Sequence, residues 1–156
     1  MLAYIGLGSN LGDSQQVLNQ AIAALNVLDG CAVVSRSSFW QSAPVQAEGP
    51  DFINAAIGLS TSLNPFDLLK KMQAIEDQLG RTRPYSNAPR TLDLDLLWMQ
   101  GIQMQSRELT LPHPRLHQRA FVVFPLAQIA PDLSIVGLGK ISDWLEYTRD
   151  QVVKQL

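Results

Sequence analysis

Apolar residues recur along the chain in two periods, which predict short strands and amphipathic helices. Residues 2–8 form an apolar run that ends in glycines, as expected of a buried strand. The apolar residues that follow have helical spacing: Val17, Leu18, Ala21, Ile22, Leu25 and Leu28. Asp13 and Gln16 form a capping-box pattern ahead of this helix, and Gly30 marks its end.

A second helix has a clear start and a clear end in the sequence. Asn64 is the predicted N-cap, Pro65 suits the first helical position, and Gly80 lies just beyond the last turn. One face of this helix is apolar: Leu68, Met72, Ile75 and Leu79. The opposite face carries Gln73 and Glu76.

Three further strands are predicted, at residues 32–40, 54–60 and 91–98. In the last of them, side chains alternate between two faces, with Leu92, Leu94 and Leu96 on one face and Asp93, Asp95 and Leu97 on the other. The order strand, helix, strand, strand, helix, strand predicts an α+β fold with a ferredoxin-like βαββαβ core and a mainly antiparallel sheet.

The remainder of the chain predicts a loop and two more helical segments. Residues 101–118 are rich in turn residues, and residues 119–129 are predicted to be helical, with Pro125 distorting or beginning the helix. A final helix is expected from about Ser142. These later helices could cover the second face of the sheet.

Length and composition favour a single globular domain. The chain has 156 residues, 46% hydrophobic and 17% charged, and no linker divides it, so we expect one domain over residues 1–156. The single cysteine, Cys31, excludes an internal disulfide, and its apolar neighbours predict a buried, inert thiol.

Charge and hydropathy exclude several partners. The formal net charge of −2 argues against general nucleic-acid binding. No uncharged apolar run approaches the ~20 residues that cross a bilayer, and the first residues lack the basic region of a signal peptide. We therefore expect a cytoplasmic monomer that acts on small molecules rather than on membranes. Positive charge is concentrated at six arginines between residues 81 and 119, which suits a small anionic ligand.

The strongest candidate for chemistry is the acidic pair on the fourth predicted strand. Asp93 and Asp95 leave the same face with their bases about 6.6 Å apart, so they could share one or two hard cations. Magnesium is usually held by one or two carboxylates together with substrate phosphates, which suits the neighbouring arginines. The alternative is an exposed sheet face on which both aspartates pair with Arg90 or Arg83.

The donor expected beside this pair is a nucleotide, bound without a P-loop, because no GxxxxGK[ST] motif is present. Motif and spacing do not choose between a kinase, a nucleotidyltransferase and a nuclease. His113 and His117 have the spacing of a zinc pair, but Pro114 opposes the helix that such a pair needs. For His113 and Arg119, phosphate binding and loop packing both remain open.

Glycines and aromatic residues give weaker signals. The first glycines, Gly6, Gly8 and Gly12, match neither GxGxxG nor a Walker motif and are interpreted as a strand-to-helix turn. Four aromatic residues, Phe39, Trp40, Phe52 and Phe121, are interpreted from their spacing as core residues.

Five ordered blocks of residues nevertheless resemble one enzyme family, the 6-hydroxymethyl-7,8-dihydropterin pyrophosphokinases of folate biosynthesis. They are YIGLGSNLG (4–12), PDFINA (50–55), PRTLDLDL (89–96), LPHPR (111–115) and RAFV (119–122), the last leading into IAPDL (129–133). The PRTLDLD segment is highly specific. The resemblance implies a three-layer fold with helices on both sheet faces, ATP as co-substrate and two Mg²⁺ ions on Asp93 and Asp95.

The same resemblance implies roles for individual residues. The pterin would lie between Phe52 and Phe121, with its polar edge at Asn54 and at the main chain near Ser42, Ala43 and Val45. The positions that match the nucleotide site are Gln73, Glu76, Arg81, Arg90, Leu96, Thr110, His113 and Arg119. Arg83 and Arg90 join the aspartates as implied catalytic residues.

The loop at residues 82–88 departs from the commoner family pattern, since Asn87 and Ala88 replace Trp-Gly and the loop is one residue shorter. We expect it to close as a lid that brings Arg83 to the phosphates. Glu108 stands where a basic residue is often found. Two other classes stay open: a polymerase-like nucleotidyltransferase, and a regulatory module that binds a small ligand without turnover.

Overall fold

The computed structural model describes residues 1–44, 49–80 and 92–156. The helices in this part of the chain are α1 (Ser14–Asn26), α2 (Pro65–Leu79), α3 (Ala120–Ile129) and α4 (Ile141–Tyr147). The first five strands are β1 (Leu2–Ser9), β2 (Cys31–Arg36), β3 (Trp40–Ser42), β4 (Phe52–Thr61) and β5 (Asp93–Met99). The others are β6 (Met104–Gln105), β7 (Thr110–Leu111), β8 (Ser134–Ile135), β9 (Gly139–Lys140) and β10 (Val153–Gln155).

One antiparallel sheet forms the centre of the fold. Its strands lie in the order β10, β3, β4, β1, β5, and β2 also pairs with β4. The two central strands, β1 and β4, pair along their whole shared length, and β5 pairs with the other edge of β1. This is the order that a ferredoxin-like βαββαβ core requires, so the predicted α+β fold is confirmed.

The two faces of the sheet bury separate apolar clusters. The first cluster contains Leu18 and Leu25 of α1, Leu68 and Met72 of α2, and residues of the sheet such as Leu94. The second lies under α3 and α4 and includes Val123 and Trp144. Helices therefore cover both faces, as expected. None of the helices in the described ranges is long and apolar enough to cross a membrane.

The starts of α1 and α2 follow the capping signals in the sequence, whereas α1 ends at Asn26, before the predicted stop at Gly30. The Gln16 main-chain N–H donates to Asp13 Oδ1 at 3.2 Å, and the Asp67 N–H donates to Asn64 Oδ1 at 2.9 Å. Each bond satisfies a main-chain donor that the first helical turn leaves free. The predicted start of α2 at Pro65 and its end before Gly80 are confirmed.

The single strand predicted over residues 32–40 is wrong, because Ser37 interrupts it. Its N–H donates to Ala56 O and its Oγ accepts from the Ala56 N–H, both at 2.9 Å. The pairing with β4 shifts across this point, from Arg36 opposite Ile57 to Trp40 opposite Asn54. The extra residue is a bulge, which splits the strand into β2 and β3.

Other parts of the structure also differ from the predictions. Cys31 is half-buried rather than buried, and its Sγ lies 3.2 Å from Thr61 Oγ1. The hairpin of β6 and β7 occupies part of the predicted loop, and β10 was not predicted. Pro125 lies inside α3, so of the two predicted alternatives it does not begin the helix.

Candidate active site

A cavity of about 510 Å³ opens on the sheet face that α3 covers. Main-sheet strands and the first turn of α3 provide most of its wall. Its lining residues are Gly6, Leu7, Gly8, Ser42, Ala43, Pro44, Phe52, Asn54, Ala55, Asp93, Asp95, Arg115, Arg119, Phe121 and Val122. The aspartate pair thus shares one cavity with both aromatic residues matched to a pterin site.

The floor of the cavity is bare sheet, because two residues of β1 have no side chain. Gly8 pairs with Asp93 on one side and with Asn54 on the other, and Gly6 pairs with Asp95. A Cβ at Gly8 would lie 3.3 Å from Asn54 Oδ1 and 3.8 Å from Phe52 Cδ1. The interpretation of these glycines as a plain turn missed this role. Their spacing of two within an apolar strand was the available signal.

The two aspartates lie on the cavity side of β5, with Asp93 half-buried and Asp95 exposed. The residue between them faces the other way: Leu94 is in the first core cluster, and its N–H donates to Glu76 Oε2 at 2.9 Å. This bond ties the strand to α2 at the point where both carboxylates emerge. Their spacing is therefore fixed by the sheet and by a helix beneath it.

The donor set suits a hard cation that keeps several of its own ligands. Within the ranges described, no three His, Cys, Asp or Glu side chains come together in an arrangement that could hold a metal ion. Asp93 and Asp95 could supply one or two carboxylates, and water and phosphate oxygens would complete the coordination of Mg²⁺. A closed zinc site would need more protein ligands than this.

Asn54 is buried in the cavity wall and its amide has a fixed orientation. Its Nδ2 donates to Ser42 Oγ at 2.8 Å, and it lies 3.5 Å from Trp40 O. The Oδ1 atom consequently lies on the side of Gly8, at the cavity floor. An acceptor held in this way can select a ring edge that carries N–H donors.

The structure separates the four aromatic residues that periodicity grouped together. Phe52 and Phe121 line the cavity, so the interpretation of these two as core residues is incomplete. Trp40 instead packs on Phe124, with ring centroids 5.6 Å apart, and its Nε1 donates to Gln128 Oε1 at 2.8 Å. Phe39 packs against the first core cluster.

Positive charge reaches the cavity from the segment that leads into α3. Arg115 and Arg119 both line it, and the guanidinium carbon of Arg119 lies 5.6 Å from the centroid of the Phe121 ring. That distance is within the range of a cation–π contact. The arginine therefore joins the aromatic wall to the part of the cavity that carries the carboxylates.

His113 is anchored beside these arginines. Its main-chain N–H donates to Leu97 O at 2.8 Å, and its ring Nδ1 accepts from the main-chain N–H of Arg115 at 3.2 Å. Burial lowers the pKa of His113; the Asp95 carboxylate opposes this shift, and Arg119 and Arg115 add to it. The ring is therefore neutral at pH 7, with its proton on Nε2 as a hydrogen-bond donor.

These features agree with the comparison of the chain with known families. A sequence model of the 7,8-dihydro-6-hydroxymethylpterin-pyrophosphokinase (HPPK) family matches residues 4–131. The chain belongs to the HPPK family. The resemblance drawn from the sequence blocks is thereby confirmed.

Relatives with curated names are similar over most of their length. A Bacillus subtilis 2-amino-4-hydroxy-6-hydroxymethyldihydropteridine pyrophosphokinase is 45% identical over 129 residues, which cover 82% of this chain and 77% of that protein. A Haemophilus influenzae protein of the same name is 37% identical over 155 residues, covering 99% of this chain and 97% of the relative.

Solved structures support the fold. A Plasmodium falciparum HPPK-DHPS (A437G with SDX-DHP) is similar with a TM-score of 0.72 at 13% identity, covering 93% of this chain and 45% of that one. An HPPK-DHPS in complex with substrates gives a TM-score of 0.70 at 12% identity. This chain spans 43% of the latter, so the likeness concerns one part of a longer protein.

Four other residues matched to the HPPK nucleotide site lie in the described ranges but do not line the cavity. Gln73 is exposed and Glu76 half-buried, about one turn apart on α2. Thr110 is half-buried on β7. Leu96 is buried in the first core cluster, so a ligand could reach only its main chain.

Several predicted site residues lie outside the described residues: Val45, Arg81, Arg83 and Arg90. The expected lid at residues 82–88 lies outside them too. Arg115 lines the cavity but was not among the predicted site residues; its position two residues after His113 was the available signal. His117 does not join His113 in a metal site, and its ring instead lies 6.2 Å from that of Trp144.

Proposed function

We propose that this HPPK-family chain transfers a pyrophosphoryl group from ATP to 6-hydroxymethyl-7,8-dihydropterin. The products would be AMP and 6-hydroxymethyl-7,8-dihydropterin pyrophosphate, in tetrahydrofolate biosynthesis. One observation carries the proposal: a single cavity contains two aromatic rings, an oriented amide and two carboxylates. These groups suit a flat heterocycle beside a metal-bound polyphosphate.

The pterin would occupy the aromatic end of the cavity. Phe52 and Phe121 provide apolar ring faces, and Asn54 Oδ1 provides an acceptor for the N–H groups on the ring edge. Ser42 supports this selection because its Oγ accepts from the Asn54 amide and fixes its direction. Ala43 and, by the family match, Val45 would add main-chain contacts.

The hydroxyl of the pterin would attack the β-phosphorus of ATP while the bond from that phosphorus to the α,β-bridging oxygen breaks. The hydroxyl proton passes to solvent water, and AMP leaves with the bridging oxygen as part of its phosphate. Asp93 and Asp95 would hold two Mg²⁺ ions. These ions would stabilise charge on the phosphate oxygens and orient the triphosphate of ATP for displacement. The protein forms no covalent bond to substrate in this scheme.

Cationic and N–H groups would stabilise the charge that develops on the phosphates. Arg119 and Arg115 reach the cavity, and the neutral His113 can donate from Nε2. Arg81, Arg83 and Arg90 are proposed from the family match to complete this set. Positioned donors of this kind act by electrostatics, so no general acid is required of the protein.

We further propose that residues 1–156 act as one domain and as a monomer in the cytoplasm, on small molecules and without nucleic acid. The net charge of −2 supports the last point. Size-exclusion chromatography with light scattering would test the monomer, for which a mass near 17.2 kDa is expected.

A product assay tests the reaction. The protein incubated with ATP, Mg²⁺ and hydroxymethyl-dihydropterin should release AMP in step with the pyrophosphorylated pterin. Release of ADP would instead mean transfer of one phosphoryl group. Binding of the pterin with equal affinity in the presence and absence of Mg²⁺ and nucleotide, without turnover, would favour the regulatory module.

Phe121→Ala should weaken pterin binding by about fivefold or more, because loss of one stacking face removes about 1 kcal/mol or more of aromatic contact. The affinity for an unreactive ATP analogue should change less. Isothermal titration of each ligand measures both.

Phe124→Ala is the matched control, since this ring lies on the same helix but packs on Trp40. It should lower thermal stability and leave pterin affinity near the wild-type value. Equal losses of affinity for both ligands in Phe121→Ala would place Phe121 in the core rather than in the pterin site.

A further inference from the structure

The start of α3 carries cavity residues, among them Arg119 and Phe121, but lacks a side-chain cap of its own. Arg119 stands at the N-cap position and makes no side-chain capping bond, and Phe121 is the second residue of the helix. Main-chain N–H groups at a helix start need partners from outside the helix. The direction in which Arg119 and Phe121 enter the cavity depends on how that need is met.

Gln151, from the C-terminal segment, meets it with one side-chain amide. The Ala120 N–H donates to Gln151 Oε1 at 2.9 Å, and Gln151 Nε2 donates to Gln118 O at 2.9 Å. The two bonds fall on the residues immediately before and after Arg119. A planar amide that binds both sides fixes the main chain of the arginine between them.

Gln151 is itself held in place on both sides along the chain. Its N–H donates to Thr148 O at 3.0 Å, and Thr148 is fully buried, with its Oγ1 donating to Trp144 O at 2.7 Å. Two residues after Gln151, Val153 pairs with Ser42, on the opposite wall of the cavity. The segment thus links both walls to the second core cluster.

We propose that Gln151 is a positioning residue, which acts through Arg119 on the binding of the ATP phosphates. The proposal rests on the function proposed above. Gln151 lies outside residues 4–131, which the HPPK family model matches. Both of its side-chain bonds go to main-chain groups on either side of Arg119, so their main effect is local to the start of α3.

Gln151→Leu removes both bonds at similar side-chain size. The KM for ATP should rise about three- to tenfold, while the KM for the pterin changes less than about twofold. The melting temperature should stay well above the assay temperature, so that the KM values compare folded proteins. Gln155→Leu is that control: the same change in the same segment, at an amide that donates to Ser38 Oγ instead.

A double-mutant cycle separates positioning from a general structural role. In an Arg119→Ala background, Gln151→Leu should change the KM for ATP less than about twofold, because the residue through which it acts is gone. Three results would overturn the proposal: an unchanged KM for ATP, a rise equal to that of Gln155→Leu, or a full rise in the Arg119→Ala background.

The design keeps the two proposals apart. Wild-type protein that forms no AMP would refute the proposed reaction. The affinities of the same variants for Mg·ATP, measured by isothermal titration, would then still test Gln151, with the same fold-changes expected. Active wild-type protein whose Gln151→Leu variant behaves like Gln155→Leu would refute the positioning role alone.

Discussion

Asp95→Asn and Asp93→Asn should each lower the turnover for AMP formation by a factor of about 100 to 1,000. Each substitution keeps the shape of the side chain and removes one negative charge from the proposed metal site, where stabilisation of the transition state amounts to several kcal/mol. The fold should persist, because Asp95 is exposed and Asp93 only half-buried. Initial rates at saturating substrates and thermal denaturation by circular dichroism provide the two measurements.

The control for this pair is Asp29→Asn, an exposed carboxylate between α1 and β2 that does not line the cavity. It should have wild-type turnover. The Mg²⁺ concentration that gives half-maximal rate should rise in both site variants and stay unchanged in the control. Wild-type turnover in both Asp93→Asn and Asp95→Asn would refute the two-metal assignment.

The elements that sequence predicts best are those whose signals are local. Asn64 and Pro65 mark the start of α2 and Gly80 marks its end, and each of these signals acts only on the few residues next to it. The order of strands and helices then restricts the topology, because consecutive elements tend to be neighbours in space. The ferredoxin-like core could be predicted for this reason.

What could not be predicted depends on contacts between distant residues. Ser37 ends β2 because it exchanges bonds with Ala56, which lies 19 residues further along the chain. Gln151 likewise reaches Ala120 across 31 residues. No local pattern marks either pairing, and an exposed glutamine near the end of a chain has no distinctive spacing.

The site itself was only partly predictable from residue type. Phe52 and Trp40 both occur in strands with similar periodicity, yet one lines the cavity and the other packs on α3. Periodicity assigns a residue to a face of the sheet, not to a filled or an open part of that face. The family resemblance made the distinction, because it matches positions rather than patterns.

Gly8 offers a second test with a large expected effect. The cavity floor exists because β1 has no side chain at this position, between Asn54 and Asp93. Gly8→Val adds a β-branched side chain that suits a strand, so the protein should fold. The new methyl groups would project into the space proposed for the pterin, starting from a Cβ that is 3.3 Å from Asn54 Oδ1.

Crowding of a well-packed contact costs about 1–3 kcal/mol, so pterin affinity should fall by about 5- to 150-fold in Gly8→Val. Gly8→Ala should have a smaller effect, because one methyl group, although 3.3 Å from Asn54 Oδ1, fills less of the space than the valine side chain. Ala32→Val, at an exposed position of β2, adds the same two methyl groups away from the cavity and should leave affinity unchanged. Fluorescence or calorimetric titration compares the pterin affinities of the three variants. Melting temperatures measured in parallel show whether each variant is folded. Since the loss should follow the added volume at Gly8 alone, a Gly8→Val protein that binds pterin as tightly as Ala32→Val would place the pterin elsewhere.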